Sequence, residues 1–450
     1  MYCMIVHRKT RFVFLLLSEL ARKYTRALVF GFIIGVLSSL IFWRLYPTIR
    51  SSWSTTAIRI GIVGEFTPST LPLYIQRQIS EGLTTLSPDS TALPSLAESW
   101  EATDSGKTYV FHLSTNYRWH DGKKVIAEDI NYNIKSITFS TVDDHTLKVS
   151  LANPYSPLPA LLSKPIFRSG LLGFGSNRIA SIRLKGDKVQ NLKIVPVEPQ
   201  NGKTKIYRFF RTEALAILAY KLGAVDILED ISGSPSVTAW GSMRVEASVH
   251  YDKIVTIFFN VTNPLLKDKA IRQALAYAIP DLQEERAYSP ISKTSWAYSD
   301  RSKKYNPDPE HAKILLKQNS LSSNVEQMTI STFAPYLNVA QKIANRWTEI
   351  GLPTNIRVEN SIPGDYQMLL GTQEVPPDPD QYPFWHSTQR QTNITGYANV
   401  KIDKLLEDGR QEGNQEERKK IYADFQRYMT EDVPAIFLYY PASYTITRGR

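Results

Sequence analysis

The chain has 450 residues, too many for one compact core, so at least two lobes are expected. With 42% hydrophobic and 21% charged residues, its make-up is that of a globular protein rather than a disordered one. The formal net charge of +10 is local: residues 1–50 carry eight Lys or Arg and one acid, while the other 400 carry 45 basic and 42 acidic residues, which removes the main support for nucleic-acid binding.

The single cysteine, Cys3, precedes any folded region, so the chain has no disulfide framework and no Cys-based metal site. It is also misplaced for a lipid anchor, which needs a Cys just after the apolar stretch. That stretch, residues 27–43, holds no charged residue. As a helix its 17 residues rise roughly 25 Å, close to the hydrocarbon thickness of a bilayer once Leu45 and Tyr46 extend it. Arg8, Lys9, Arg11, Arg22, Lys23 and Arg26 precede it, and only Arg44 and Arg50 follow closely, a bias that predicts the N-terminus inside and the bulk of the chain outside. The long basic n-region and the exit Phe42-Trp43-Arg44 suit an uncleaved anchor better than a signal peptide. The expected order is a basic cytoplasmic segment (1–26), an anchor (27–46) and a polar tether (47–57).

Beyond the tether, strand-like runs alternate with helical patterns, which predicts a mixed α/β fold. Residues 58–63, 109–113 and 146–151 read as strands. Behind Asp268, an expected N-cap, the apolar positions Ile271, Ala274, Leu275, Ala278 and Ile279 follow helical spacing. Val339, Ala340, Ile343, Ala344 and Trp347 form a second stripe closed by Gly351. Ile421, Phe425, Tyr428 and Met429 form a third, in a strongly charged helix. Two runs, 254–259 and 436–440, are unusually apolar for their length, as strands buried on both faces are; they bracket the helix-rich stretch and suggest crossovers between two lobes.

His120-Asp121-Gly122 reads as a hairpin turn rather than a metal or catalytic fragment, because Asp-Gly supplies the positive φ a tight turn needs. Asp143-Asp144-His145 reads the same way. The seven histidines show no metal-ligand spacing, and nucleotide-loop and nucleophile-elbow motifs are absent. The most informative loop runs from Pro376 to Ser387, with two carboxylates (Asp378, Asp380), three aromatics and His386 held by four prolines. Three readings fit: a binding loop whose carboxylate pairs with a ligand ammonium between aromatic walls, a rigid surface loop with solvated acids, or an acid/base pair. The last is disfavoured by the i, i+2 spacing, which leaves little room for a substrate atom between the carboxyls.

Leu96-Ala97-Glu98-Ser99-Trp100-Glu101, then 106–113 (GKTYVFHL), Trp119-His120-Asp121-Gly122 and Ala127-Glu128-Asp129 resemble the signature block of family 5 extracellular solute-binding proteins, the oligopeptide-, dipeptide- and nickel-binding proteins of ABC importers. Leu222-Gly223-Ala224-Val225-Asp226-Ile227, Asn260 with Asp268 and Ile271-Arg272-Gln273-Ala274, and Asp378-Pro379-Asp380 with Asp403, Arg418, Tyr422 and Asp432-Val433-Pro434 resemble further family elements, so the likeness covers about 58–447. It implies an α/β fold of the periplasmic-binding-protein type II-like kind, two lobes with an inserted subdomain, here preceded by one transmembrane helix. By that likeness 58–72, 163–256 and 436–450 build lobe I, 73–162 the inserted subdomain and 257–435 lobe II. The resemblance further implies a non-enzymatic receptor at the cytoplasmic membrane that captures short peptides as an added strand and delivers them to an ABC permease. It calls for no cofactor and no metal, and it leaves open a sensor or scaffold on the same fold, or a non-peptide solute such as nickel. The expected ligand contacts are Asp378 to the peptide amine, Asp380 second, and Tyr382, Trp385, His386, Asn393 and Tyr397 around them; for the peptide carboxylate only Arg346 and Arg390 stand as candidates. The chain departs from the family pattern in a trimmed subdomain after Asn133, a compressed 280–300 stretch and Pro280 in place of an acid.

Overall fold

The computed structural model describes residues 57–232, 243–318 and 327–448, with a few isolated positions before 57. The expected basic segment, anchor and tether fall outside the described residues apart from those positions and Ala57; among the described residues no helix is long and apolar enough to cross a membrane. The chain divides into two compact units, Met1–Ala57 and Ile58–Arg450.

The second unit is built on three main sheets. In the first, the strand Ile58–Val63 lies at the centre, parallel to Lys205–Phe210 on one side and to Ile227–Ile231 on the other. Parallel neighbours need a covering crossover, and the helix Glu213–Lys221 supplies it between the two flanking strands, burying Ala216 and Tyr220. Lys188–Pro196 and Asn177–Lys185 extend one edge, Ala442–Arg448 and Met243–Val249 the other, for seven strands in all among the described residues. The helix Leu73–Ile79 seals this core through Ile75 and Ile79 against Ile60, Ile62 and Leu192.

The second sheet holds six strands in the order Glu285–Arg286, Ala435–Tyr440, Lys253–Phe259, Met368–Glu374, Met328–Phe333 and Thr354–Glu359. The two predominantly apolar runs are neighbours in it, paired antiparallel and buried on both faces. Both therefore belong to the second lobe. The chain passes between sheets at about 250–252 and at 441, where the His250 amide donates to the Pro441 carbonyl at 2.8 Å. The boundaries expected at 256 and 436 fall inside these strands instead, because an apolar run shows that a strand is buried but not which sheet buries it. The predicted helix stripes pack here: Ile271, Ala274, Leu275, Ala278 and Ile279 with Ala340, Ile343, Ala344 and Trp347. The Asp268 carboxylate caps its helix by accepting from the Ala270 amide at 2.7 Å, and Gly351 sits at φ +99° after the second.

The third sheet is an antiparallel set of four, Ala97–Thr103, Thr108–Leu113, Thr146–Leu151 and Ile137–Asp143, over a core of Leu83, Leu96, Phe111, Trp119, Leu147 and Leu158. This core begins at Leu83, ten residues after the expected start of the insertion, since the helix Leu73–Ile79 packs with the first lobe. His120-Asp121-Gly122 is a turn: the Gly122 amide donates to the Trp119 carbonyl at 2.8 Å, with Gly122 at φ +88°. Its His120 amide donates to Gly173 O, and the ring Nε2 lies 2.9 Å from Gly175 O, so the histidine pins the insertion to the segment that follows it.

Val433, the residue after the helix Gln415–Asp432, adopts φ 50°, ψ 54°, a strained conformation for a β-branched side chain. The Arg272 guanidinium holds it there, donating to the carbonyls of Asp432, Val433, Leu266 and Lys267.

Candidate functional site

A cavity of about 540 Å³ opens where the three parts of the unit meet. Leu73 and Arg77 reach it from the first-lobe helix, Tyr155 and Lys164 from the end of the insertion, Asp252 and Lys253 from a crossover, and Glu374 to Phe384 from the second lobe. Its size is that of a small-molecule site. A second cavity of about 270 Å³ opens beside it on the second lobe, and Glu374 and Phe384 belong to the walls of both.

The loop singled out in the sequence forms one wall, but its carboxylates are already engaged. Asp378 is buried, and Arg418 grips it with two parallel bonds, Nη1 to Oδ2 at 2.9 Å and Nη2 to Oδ1 at 2.7 Å. The Asp380 amide adds a third bond to Asp378 Oδ1 at 3.0 Å. Burial pushes the Asp378 carboxyl upward and Arg418 opposes it. Burial alone would lower the Arg418 guanidinium, yet the charge and hydrogen bonds of Asp378 hold it above its usual range. Asp380 Oδ2 accepts from Arg410 Nε at 3.1 Å and Nη2 at 2.8 Å. The Arg410 guanidinium lies 4.1 Å from the Tyr382 ring centroid and 5.3 Å from that of Tyr155. Both acids thus line the cavity as carboxylates already paired with a guanidinium.

Other expected contacts are likewise part of the framework. Tyr382 stacks on His386, with ring centroids 4.1 Å apart, and lines neither cavity. His386 is buried with Nδ1 2.8 Å from Thr388 Oγ1 and Nε2 3.3 Å from Glu407. Asn393 donates to the Tyr397 carbonyl at 2.8 Å, and the Tyr397 hydroxyl donates to Asp432 at 2.5 Å. His386, Asn393 and Tyr397 also stand outside both cavity walls, because their polar groups close the loops behind the surface. Of the aromatic group, Trp385 does line the smaller cavity, packed on Phe258 and Phe437. The two candidates for the carboxylate end are elsewhere: Arg346 pairs with Glu349 on its own helix at 3.1 Å, and Arg390 is exposed outside both walls.

Two charged residues of the wall that sequence reading passed over stand without a partner among the described residues, beside Lys164 and Lys253 of the same wall. Glu374, the last residue of the strand Met368–Glu374, is exposed at the junction of the two cavities, and among the described residues it has no hydrogen-bonded or ionic side-chain partner. Lys253 stands opposite it in the strand pair without forming an ion pair. Arg77, on the first-lobe helix, is also unpaired among the described residues; the residue is exposed, and partial desolvation lowers its pKa. A strand-end Glu and a helical Arg leave no motif, and only the packing of two lobes brings them to one cavity.

The family model for bacterial extracellular solute-binding proteins, family 5 (middle region), matches residues 91–170 and 198–393, and the chain belongs to that family. It is 22% identical to the dipeptide-binding protein of Escherichia coli K12, over 82% of this chain and 84% of that one. Among solved structures it is similar to NikZ of Campylobacter jejuni in complex with Ni(L-His), with a TM-score of 0.70, 22% identity and 88% and 94% of the two chains covered. It is also similar to the oligopeptide-binding protein AppA of Bacillus subtilis in complex with a nonapeptide, with a TM-score of 0.65, 20% identity and 87% and 94% covered. These likenesses establish the periplasmic-binding-protein-like α/β fold.

Proposed function

We propose that this protein captures short peptides as zwitterions in the cleft between its lobes. The observation that carries the reading is that one cavity is lined from the second lobe by the unpartnered Glu374, for the ligand's ammonium group, and from the first by the unpartnered Arg77, which with Lys164 on the same wall suits its carboxylate. Opposite charges on opposing lobes favour closure over a ligand that carries both, since each lobe then gains a charge-assisted hydrogen bond only in the closed form. The Asp378–Arg418 and Asp380–Arg410 pairs hold the loop wall rigid around this space, the positioning role that replaces the direct ligand contact expected of Asp378. The peptide-binding relatives support a peptide as the ligand.

The same reading places the protein at the outer face of the cytoplasmic membrane, held by the helix expected over 27–46, where it delivers its ligand to an ABC permease. The charge bias around that segment and the extracellular character of the family support it. Calorimetry on the full chain in detergent tests the binding half: free dipeptides and tetrapeptides are expected to bind, with N-acetylation or C-amidation each weakening affinity at least about tenfold. Equal binding of capped and free peptides, or binding of Ni(L-His) with no peptide binding at all, overturns it. Resistance of the full chain to alkaline extraction from membranes, lost on removing residues 1–50, tests the anchor; release of the intact chain by alkali argues against it.

A further inference from the structure

The two faces of the first sheet are covered unequally. On one, the helix Leu73–Ile79 packs over Val189, Leu192 and Ile194. On the other, the helix Glu213–Lys221 packs with Val63, Phe210 and Leu228, and no residue of 177–196 joins that core. Register fixes what the bare part of this second face carries, because paired residues on neighbouring strands point the same way. Asn191 pairs with Arg183 on one side and Arg208 on the other, Lys193 pairs with Ser181, and Val195 with Arg178. Arg178, Arg183 and Lys193 are exposed, and none of these cations, nor Arg208, has an ionic partner among the described residues. Arg208 Nε is buried without a hydrogen-bond partner. The two acids of this stretch are engaged elsewhere, Asp187 with Lys188 at 3.3 Å and Glu198 with the Asn201 amide. Residues 177–210 hold eight basic residues and two acids, whereas the rest of 51–450 holds 37 basic and 40 acidic residues.

Edge protection accounts for part of this charge, since Asn177–Lys185 is an edge strand and charged side chains keep an edge from pairing. It does not account for Lys193 and Arg208, which stand on interior strands. We propose that this bare basic face is a docking surface for the anionic phospholipid headgroups of the membrane that holds the anchor. The inference rests on the reading of residues 27–46 as that anchor. The tether expected over 47–57 spans at most about 40 Å when fully extended. It enters this same sheet at Ile58, which pairs with Lys205 one strand away from Lys193. Covalent reach therefore permits the contact. A broad face of separated cations suits a layer of headgroups better than one small anion, because each guanidinium can take a different phosphate in a fork of two bonds. Attraction of this kind acts only within about a Debye length of the surface, so it draws the lobe down once the tether has brought it near.

The test is energy transfer on the full chain reconstituted into vesicles of phosphatidylcholine, alone or mixed with phosphatidylglycerol. Cys3 is the single cysteine of the chain, so Cys3→Ser with Ser181→Cys puts one fluorophore on the face, and a headgroup-labelled lipid serves as acceptor. The chain is expected to float with both kinds of vesicle through its anchor. Transfer is expected to be at least about twofold higher in the anionic vesicles, and to return to the neutral level in 1 M NaCl, where charges are screened beyond about 3 Å. Adding Arg183→Gln and Lys193→Gln, both at exposed positions, is expected to abolish the difference while the chain still floats and unfolds at the same midpoint. Equal transfer in the two kinds of vesicle, the result a face built for an acidic protein would give, overturns the bilayer as occupant and leaves the anchor intact; this comparison needs no charge variant. A difference that survives in the folded double variant also overturns the docking surface. Failure to float with neutral vesicles overturns the anchor and, with it, the inference.

Discussion

Asp378 and Glu374 lie four residues apart at the edge of one cavity, yet their carboxylates do opposite things. Asp378 is buried under a bidentate guanidinium and belongs to the framework. Glu374, at the strand's end, is exposed and unpaired among the described residues. Between them runs a gradation: the Asp380–Arg410 pair with side chains 6% and 26% exposed, and Asp432–Lys269 with 22% and 48%. The lesson is that exposure, more than residue type, separates an acid that shapes a site from one that meets a ligand. A buried carboxylate without a counter-charge is too costly to keep for a transient partner, whereas an exposed one loses little when empty.

The comparison is most open to attack at its buried end. Arg418→Ala strands the Asp378 carboxylate in the interior and is expected to destabilise the protein by about 3–5 kcal/mol, read as a large fall in the denaturant midpoint. A drop no greater than that of a surface substitution would break the contrast. Arg410→Ala leaves Asp380 closer to water and two charged hydrogen bonds poorer, for a loss of about 1–3 kcal/mol in the same measurement. Asp432 sharpens the middle of the series. Burial raises its carboxyl, but the hydrogen bonds from Lys269, Tyr397 and Asn399 outweigh it and hold the pKa below the usual carboxylate value. A depressed folded-state pKa means stability that is present above the unfolded value and lost as pH falls through the folded one. Asp432→Asn is therefore expected to cost about 1 kcal/mol or less near neutrality and to flatten the loss of stability between about pH 4 and the acid limit, followed by thermal unfolding across pH. At the open end, Glu374→Gln is expected to leave the unfolding midpoint unchanged while free-peptide affinity falls at least about tenfold. If Glu374→Gln unfolds the protein instead, or binds as before, the distinction between framework acid and ligand acid collapses.

Much of the architecture is legible in periodicity. The helix behind Asp268 and the helix closed by Gly351 show their buried faces in their spacing, because an amphipathic helix must repeat its apolar residues every turn. The turn at His120-Asp121-Gly122 is legible because only a few residues tolerate the backbone it needs. The C-terminal helix was only half legible: Phe425 and Met429 are buried as expected, but the inward face also takes Arg418, Tyr422 and Gln426. A hydropathy pattern assigns an arginine to solvent, and it cannot foresee that Asp378, forty residues earlier, supplies the counter-charge that lets Arg418 turn inward.

The residues by themselves determined the α/β character, the family likeness and the loop that walls the cleft, all of which are local patterns along the chain. They did not determine which carboxylate is free. That depended on where the second sheet ends, which helix returns a guanidinium to the loop, and how the first-lobe helix brings Arg77 to the cavity of Glu374. Charges become partners or remain available through proximity in space, and proximity between residues hundreds of positions apart is set only when the two lobes pack.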